Sequence, residues 1–141
     1  MTQNSSEHNP GLLTELPADK WEVQLRKGCL ELAVLAALWD GRLYGLEMLR
    51  RVQERSDVSI AEGTVYPLLR RLKAEGFLEC EWVDAQAGHP RKYYWLTASG
   101  RDRVIAMARS WFLFSGGLAG LLQPILSGTG DGHVRNREGD K

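Results

Sequence analysis

Arg70, Arg71 and Lys73 crowd one short stretch of the chain, and a second cationic pair, Arg91-Lys92, follows a Gly-His-Pro turn. Guanidinium and ammonium groups placed together hold phosphate oxygens through charge-assisted hydrogen bonds, and an arginine fork also fits the O6/N7 edge of guanine. Just ahead of them, Gly63, Thr64, Tyr66 and Pro67 are small, polar or flat, which lets a helix approach a stack of bases closely. Cations on one helix face are usually plain solvation. Two separate groups, one on a helix and one on a hairpin directly after it, point instead to a polyanion. No comparable grouping supports catalysis. There is no nucleophile–base pair, no paired carboxylates and no phosphate loop, and Gly116–Gly120 has a helix-packing spacing. His8, His89 and His133 are scattered, and Cys29 and Cys80 have no metal-ligand spacing. No enzyme activity, metal or cofactor is expected.

The bulk charge gives no help. The 141 residues carry 18 basic and 18 acidic side chains, a formal net charge of zero. An overall basic chain is the simplest signal for nucleic acid, and it is absent. Between Arg50 and Arg109 there are 11 basic and 8 acidic residues, so placement must carry the reading. Both cysteines fall in apolar patterns and residues 1–20 are polar, which predicts buried thiols in a reducing cytoplasm and no secretory signal.

The elements that must position these residues follow from periodicity. A first helix is expected from about Asp19 to Trp39, with Leu25, Cys29, Leu32, Ala36 and Trp39 on its inner face. A second spans about Tyr44 to Arg55, with Leu46, Leu49 and Val52 inward and Arg50, Arg51 and Arg55 outward. Ser59 and Glu62 have capping-box spacing at the start of a third helix, whose stripe is Val65, Leu68, Leu69 and Leu72. Pro67 predicts a bend there, or a helix regular only from Thr64, and Gly76 is a natural C-cap. Leu78, Cys80 and Trp82, then Lys92, Tyr94 and Leu96, alternate as two strands around an Asp84–Pro90 loop. Thr97 is a natural N-cap for a last helix from Ala98 to Leu122, which Gly116-Gly117 could break and Pro124 should stop.

Three helices, a hairpin and a helix make a mainly α (α+β) fold: a winged helix-turn-helix with a two-stranded β-hairpin wing and a C-terminal dimerisation helix. The expected division is a flexible arm over 1–18, the winged helix-turn-helix over 19–97, the dimerisation helix over 98–124 and a disordered tail over 125–141. In such a fold the N-terminal part of the third helix enters the major groove. Gly63, Thr64, Tyr66 and Pro67 then meet base edges, while Arg70 and Arg71 reach phosphates or guanine. Tyr44 and the Arg50/Arg51 pair brace a flanking phosphate, and Arg91 and Lys92 lie over the minor groove or backbone.

At these residues the chain resembles the PadR-type transcriptional regulators of the short-tailed subfamily. The resemblance is carried by Leu43-Tyr44-Gly45-Leu46-Glu47, by Glu62-Gly63-Thr64-Val65-Tyr66-Pro67-Leu68-Leu69-Arg70-Arg71-Leu72 with Glu75-Gly76, by Gly88-His89-Pro90-Arg91-Lys92-Tyr93-Tyr94, and by Leu96-Thr97-Ala98-Ser99-Gly100. Together they cover about residues 28–105. The resemblance implies a homodimer, a palindromic double-stranded DNA operator, and repression relieved by a small effector. His89 departs from it, standing where the family often has a second proline.

Ser110 to Gly130 carries no charge. A membrane span is one reading, but Gln123, Pro124 and several glycines interrupt the run. A partner helix suits the stripe Trp111, Phe112, Phe114, Leu118 and Leu122 better, and a two-fold dimer through it sets two recognition helices about one DNA turn, ~34 Å, apart. Trp21, Trp39, Trp111, Phe112 and Phe114 are candidates to line an apolar pocket at that interface for a flat aromatic effector, with ordinary interface packing as the alternative. The competing function is a winged-helix protein-interaction module without DNA binding.

Overall fold

The computed structural model describes residues 20–56, 58–84 and 88–128. The expected arm over 1–18 and residues 129–141 of the expected tail lie outside the described residues. The elements run α1 (Lys20–Ala37), β1 (Leu43–Tyr44), α2 (Gly45–Ser56), α3 (Glu62–Ala74), β2 (Leu78–Val83), β3 (Arg91–Leu96) and α4 (Ala98–Gly128). Leu35, Leu38, Met48, Leu69, Leu72 and Leu78 are fully buried where α1, α2, α3 and the sheet meet, and Val104 brings α4 into the same core.

The hairpin is there, but the sheet has a third strand. β1 pairs antiparallel with β3 and β3 with β2, giving the order β1-β3-β2. Tyr44 therefore lies on a strand edge opposite Tyr93 rather than opening a helix. Glu47 at the third position of α2 accepts the Tyr44 N–H, a long contact at 3.5 Å.

α1 presents a different face to the core from the one expected. Val34, Leu35, Ala37 and Leu38 are buried, whereas Ala36 and Trp39 are exposed and Leu25 is half exposed. The helix carries two apolar stripes, and periodicity alone does not say which one meets the domain. The second stripe, with Cys29 and Leu32 half-buried, runs beside α4. On α2, Met48 and Val52 are buried but Leu46 is exposed. Arg51 does not point outward: it turns back to donate to the Ala37 carbonyl at 3.3 Å.

The capping box does not form. Thr64 and Val65 both donate to the Ala61 carbonyl, at 3.0 and 3.1 Å, so the first turn starts from Ala61, two residues later than a box at Ser59 requires. Pro67 lies inside α3 without interrupting it. The other end closes with a left-handed Gly76 at φ +84. Gly76 N–H donates to the Lys73 carbonyl and Phe77 N–H to the Leu72 carbonyl, both at 3.0 Å, the paired bonds of a Schellman stop.

Thr97 caps α4 as expected. Its hydroxyl accepts the Gly100 N–H at 3.0 Å and donates to the Gly76 carbonyl at 2.6 Å, while its own N–H bonds the Phe77 carbonyl at 3.1 Å. The helix then runs unbroken for 31 residues, through Gly116-Gly117 and past Pro124 to Gly128. Pro124 does not stop it. One further turn follows, in which Ser127 Oγ donates to the Gln123 carbonyl at 3.0 Å.

Candidate nucleic-acid interface

The face of α3 opposite its buried Val65, Leu69 and Leu72 is free, with Gly63, Thr64, Pro67 and Arg70 exposed. Tyr66 is 40% exposed and lies over the start of α2. A Cβ on Gly45 would come within 2.6 Å of the Tyr66 hydroxyl oxygen, so the bare Gly45 backbone leaves the space that ring occupies. Tyr66 is thus both packed and presented.

Between α3 and the wing lies a cavity of about 720 Å³. Tyr44, Gly45 and Leu46 form one wall, Tyr66, Leu69, Arg70 and Lys73 of α3 a second, and Trp82, Pro90, Arg91, Lys92 and Tyr94 of the wing a third. No carboxylate lines it among the described residues. Sheet register explains the wing's share. Trp82 pairs with Lys92, so both sit on one face with Tyr94, and the Lys92 ammonium lies 5.7 Å from the Trp82 ring and 5.8 Å from the Tyr94 ring. Arg91 stacks over Tyr44 at 4.5 Å, and Tyr44 meets Tyr93 edge-on at 5.6 Å. Burial raises the Tyr94 phenol above its ordinary range, so it stays a neutral hydroxyl.

The structure thus brings together Tyr44, Tyr66, Arg70, Arg91 and Lys92 of the expected set, with Gly63, Thr64 and Pro67 on the neighbouring N-terminal face of α3. It separates Arg71 from them. Arg71 faces α1, donating to Glu75 at 2.9 Å and Glu31 at 3.4 Å, and its guanidinium is raised chiefly by the Glu75 bond. Glu31 also faces Arg103 of α4 at 3.6 Å, so one carboxylate ties α1, α3 and α4. Sequence reasoning noted Lys73 in the cation cluster but gave it no contact, and left Trp82 and Tyr94 out of the site. Lys73 stands three residues after Arg70 and Trp82 opposite Lys92, so helix and hairpin registers were the available signals.

The expected aromatic set does not converge within one chain. Trp21 is the second residue of α1 and Trp39 lies two residues past its end, so nearly the whole helix, a rise of about 27 Å over 18 residues, separates them. Trp39 keeps an exposed edge but has Arg101 on one face, whose guanidinium stacks at 4.3 Å and donates to the Trp39 carbonyl at 3.1 Å. Trp111 instead lines a shallow cavity of about 330 Å³ with Gly28, Leu32 and Met107, and meets Phe112 edge-on at 5.1 Å. Phe112, Phe114, Leu118 and Leu122 are exposed. Among the described residues α4 is the one helix long and apolar enough to cross a membrane. Its large apolar side chains are concentrated on one side, however. At about 100° per residue, Trp111, Phe114, Leu118, Leu121, Leu122, Ile125 and Leu126 continue the Val104–Met107 face, while Gly116, Gly117, Gly120, Gln123 and Ser127 gather opposite, with exposed Leu113 among them and Phe112 at the border of the two faces. A helix that is apolar along one stripe suits a partner helix, whereas lipid surrounds a span on every side.

Among the described residues no three His, Cys, Asp or Glu side chains are grouped to hold a metal ion. The model of the PadR-like transcriptional regulator family matches residues 34–106. A PadR-like transcriptional regulator from Bacillus cereus is 31% identical with a TM-score of 0.64, over 71% of this chain and 97% of that one. A PadR family transcriptional regulator from Eggerthella lenta is 32% identical with a TM-score of 0.63, over 71% and 87%. An uncharacterized protein of Lysinibacillus sphaericus is 28% identical over 87 residues, 60% of this chain and 80% of that protein.

Proposed function

This chain belongs to the PadR-like family of transcriptional regulators, whose members are regulators and not enzymes, and from that premise we propose that it is a cytoplasmic repressor that binds a palindromic operator as a homodimer. The observation that carries the DNA reading is the cavity walled by Arg70 and Lys73 on one side and Arg91 and Lys92 on the other, without a carboxylate among them. A duplex backbone passing between a recognition helix and a wing meets such cations from both sides. The exposed Gly63, Thr64, Tyr66 and Pro67 read base edges in the major groove, and Tyr44 braces the backbone from the strand edge. Arg71 supports α3 from behind. These cations act over a few ångströms, so zero net charge is no obstacle.

The homodimer forms through the apolar face of α4 and the exposed half of α1. A small aromatic effector lodges at that interface beside Trp111, Phe112 and Phe114 and releases the repressor. Trp39 takes no part, because it lies past the far end of α1 with Arg101 stacked on its ring. The test is a gel shift with DNA from upstream of the protein's own gene at moderate salt. The wild type shifts it, and the Arg70→Ala/Lys92→Ala double variant does so only at much higher protein concentration. Equal shifts would overturn the contact assignment, and no shift by either would favour the protein-interaction module.

A further inference from the structure

The groove between α3 and the wing holds an exposed ring for which the duplex reading has no use. Tyr44, Tyr66, Trp82 and Tyr94 all line it, but Tyr94 is only 6% exposed and Arg91 lies over Tyr44, whereas Trp82 is 67% exposed. Bases in a duplex are stacked on each other, so a backbone crossing the groove offers these rings sugar and phosphate, but no free base face. Four cations answer to phosphate; the exposed Trp82 ring answers to something flat.

We propose that this groove is also a binding site for a free nucleotide, which competes directly with DNA. The proposal rests on the reading of the groove as the DNA-backbone site. A nucleotide carries both groups the groove is built for. Its phosphate takes the place of the backbone phosphate between Arg70, Lys73, Arg91 and Lys92. Its base stacks on the exposed Trp82 ring, displacing or sharing the face over which the Lys92 ammonium lies at 5.7 Å. A volume of about 720 Å³ is ample for such a ligand, since small-molecule sites run from roughly 300 to 1,000 Å³. Occupancy removes the cations from the backbone, so this control acts at the reading head, separately from any ligand at the α4 face.

The test uses the full chain and AMP. Titration calorimetry of the DNA-free protein compares AMP with adenosine, which lacks the anion, and with inorganic phosphate, which lacks the ring. Both fragments should bind at least about tenfold more weakly than AMP, and Trp82→Ala should weaken AMP about tenfold, the usual loss of one base–aromatic stack. Trp82 is exposed, so a melting curve for the variant checks that the fold is kept. AMP should then displace a fluorescently labelled upstream duplex at concentrations near its own dissociation constant. The proposal is overturned if phosphate or adenosine binds as tightly as AMP, if Trp82→Ala leaves AMP binding unchanged, or if saturating AMP leaves the duplex bound. A wild type that binds AMP but no duplex without competitor would overturn the competition and the DNA reading together, while the calorimetry reports the nucleotide site by itself.

Discussion

Glu31 of α1 holds Arg71 of α3 at 3.4 Å, and so turns one of two adjacent arginines of the same helix away from the groove that the other lines. Arg70→Ala and Arg71→Ala should therefore separate. Loss of Arg70 should weaken duplex binding and flatten its dependence on salt by about one phosphate contact, a slope change near 0.9. Loss of Arg71 should leave that slope unchanged and lower stability by about 0.2–1 kcal/mol, the range for solvent-accessible ion pairs. Binding isotherms at several salt concentrations, with a melting curve for each variant, decide this.

Gly100 sits against the Phe77 carbonyl so closely that a Cβ would overlap the oxygen. That oxygen is backbone, already bonded to Thr97 N–H, and has no rotamer by which to move aside. Gly100→Ala should cost about 1–3 kcal/mol by overpacking. Chemical denaturation measures it. An alanine variant as stable as wild type would mean that the α3–β2 turn can shift.

Tyr94 gives a prediction at alkaline pH. Its phenol is raised by burial, so the unfolded chain releases that proton first. The stabilisation is complete below the ordinary value of 10.0 and is lost as the pH rises through that value toward the folded one. Tyr94→Phe should flatten the decline in unfolding free energy above about pH 10. Denaturation curves across that range are the check.

The apolar face of α4 bears on assembly. Leu118→Asp together with Leu122→Asp should yield a folded monomer by sedimentation, since both side chains lie outside the core. Operator affinity should fall by about a hundredfold or more, because linked half-sites no longer act together. A double variant that still sediments as a dimer would place the interface elsewhere.

Much of this was legible in the sequence, and the residues that were not share a cause. The α3 stripe of Val65, Leu69 and Leu72, the left-handed Gly76 and the Thr97 cap are each fixed by neighbours within one or two turns, and all three stand in the structure. The two-residue strand Leu43–Tyr44 is too short to show a period, and it exists only because β3 supplies its partner. Arg71 is turned by a carboxylate 40 positions away. The inner face of α1 was misassigned because both of its stripes are apolar and only the packed domain distinguishes them. Pro124 was over-weighted for a related reason: a proline removes one hydrogen bond, and the helix on either side still closes its own.

The Thr97 junction has a mechanical consequence. Its three hydrogen bonds and the tight seat of Gly100 clamp the end of α3 to the first turn of α4. A helix of 31 residues is about 46 Å long, so a swing of 5° at that clamp moves the far tip by about 4 Å. Run backwards, the lever gears down. In the proposed dimer, a shift of several ångströms where two copies meet near the tip would reach α3 as a few degrees of tilt, shared between two reading heads that must fit one duplex at once.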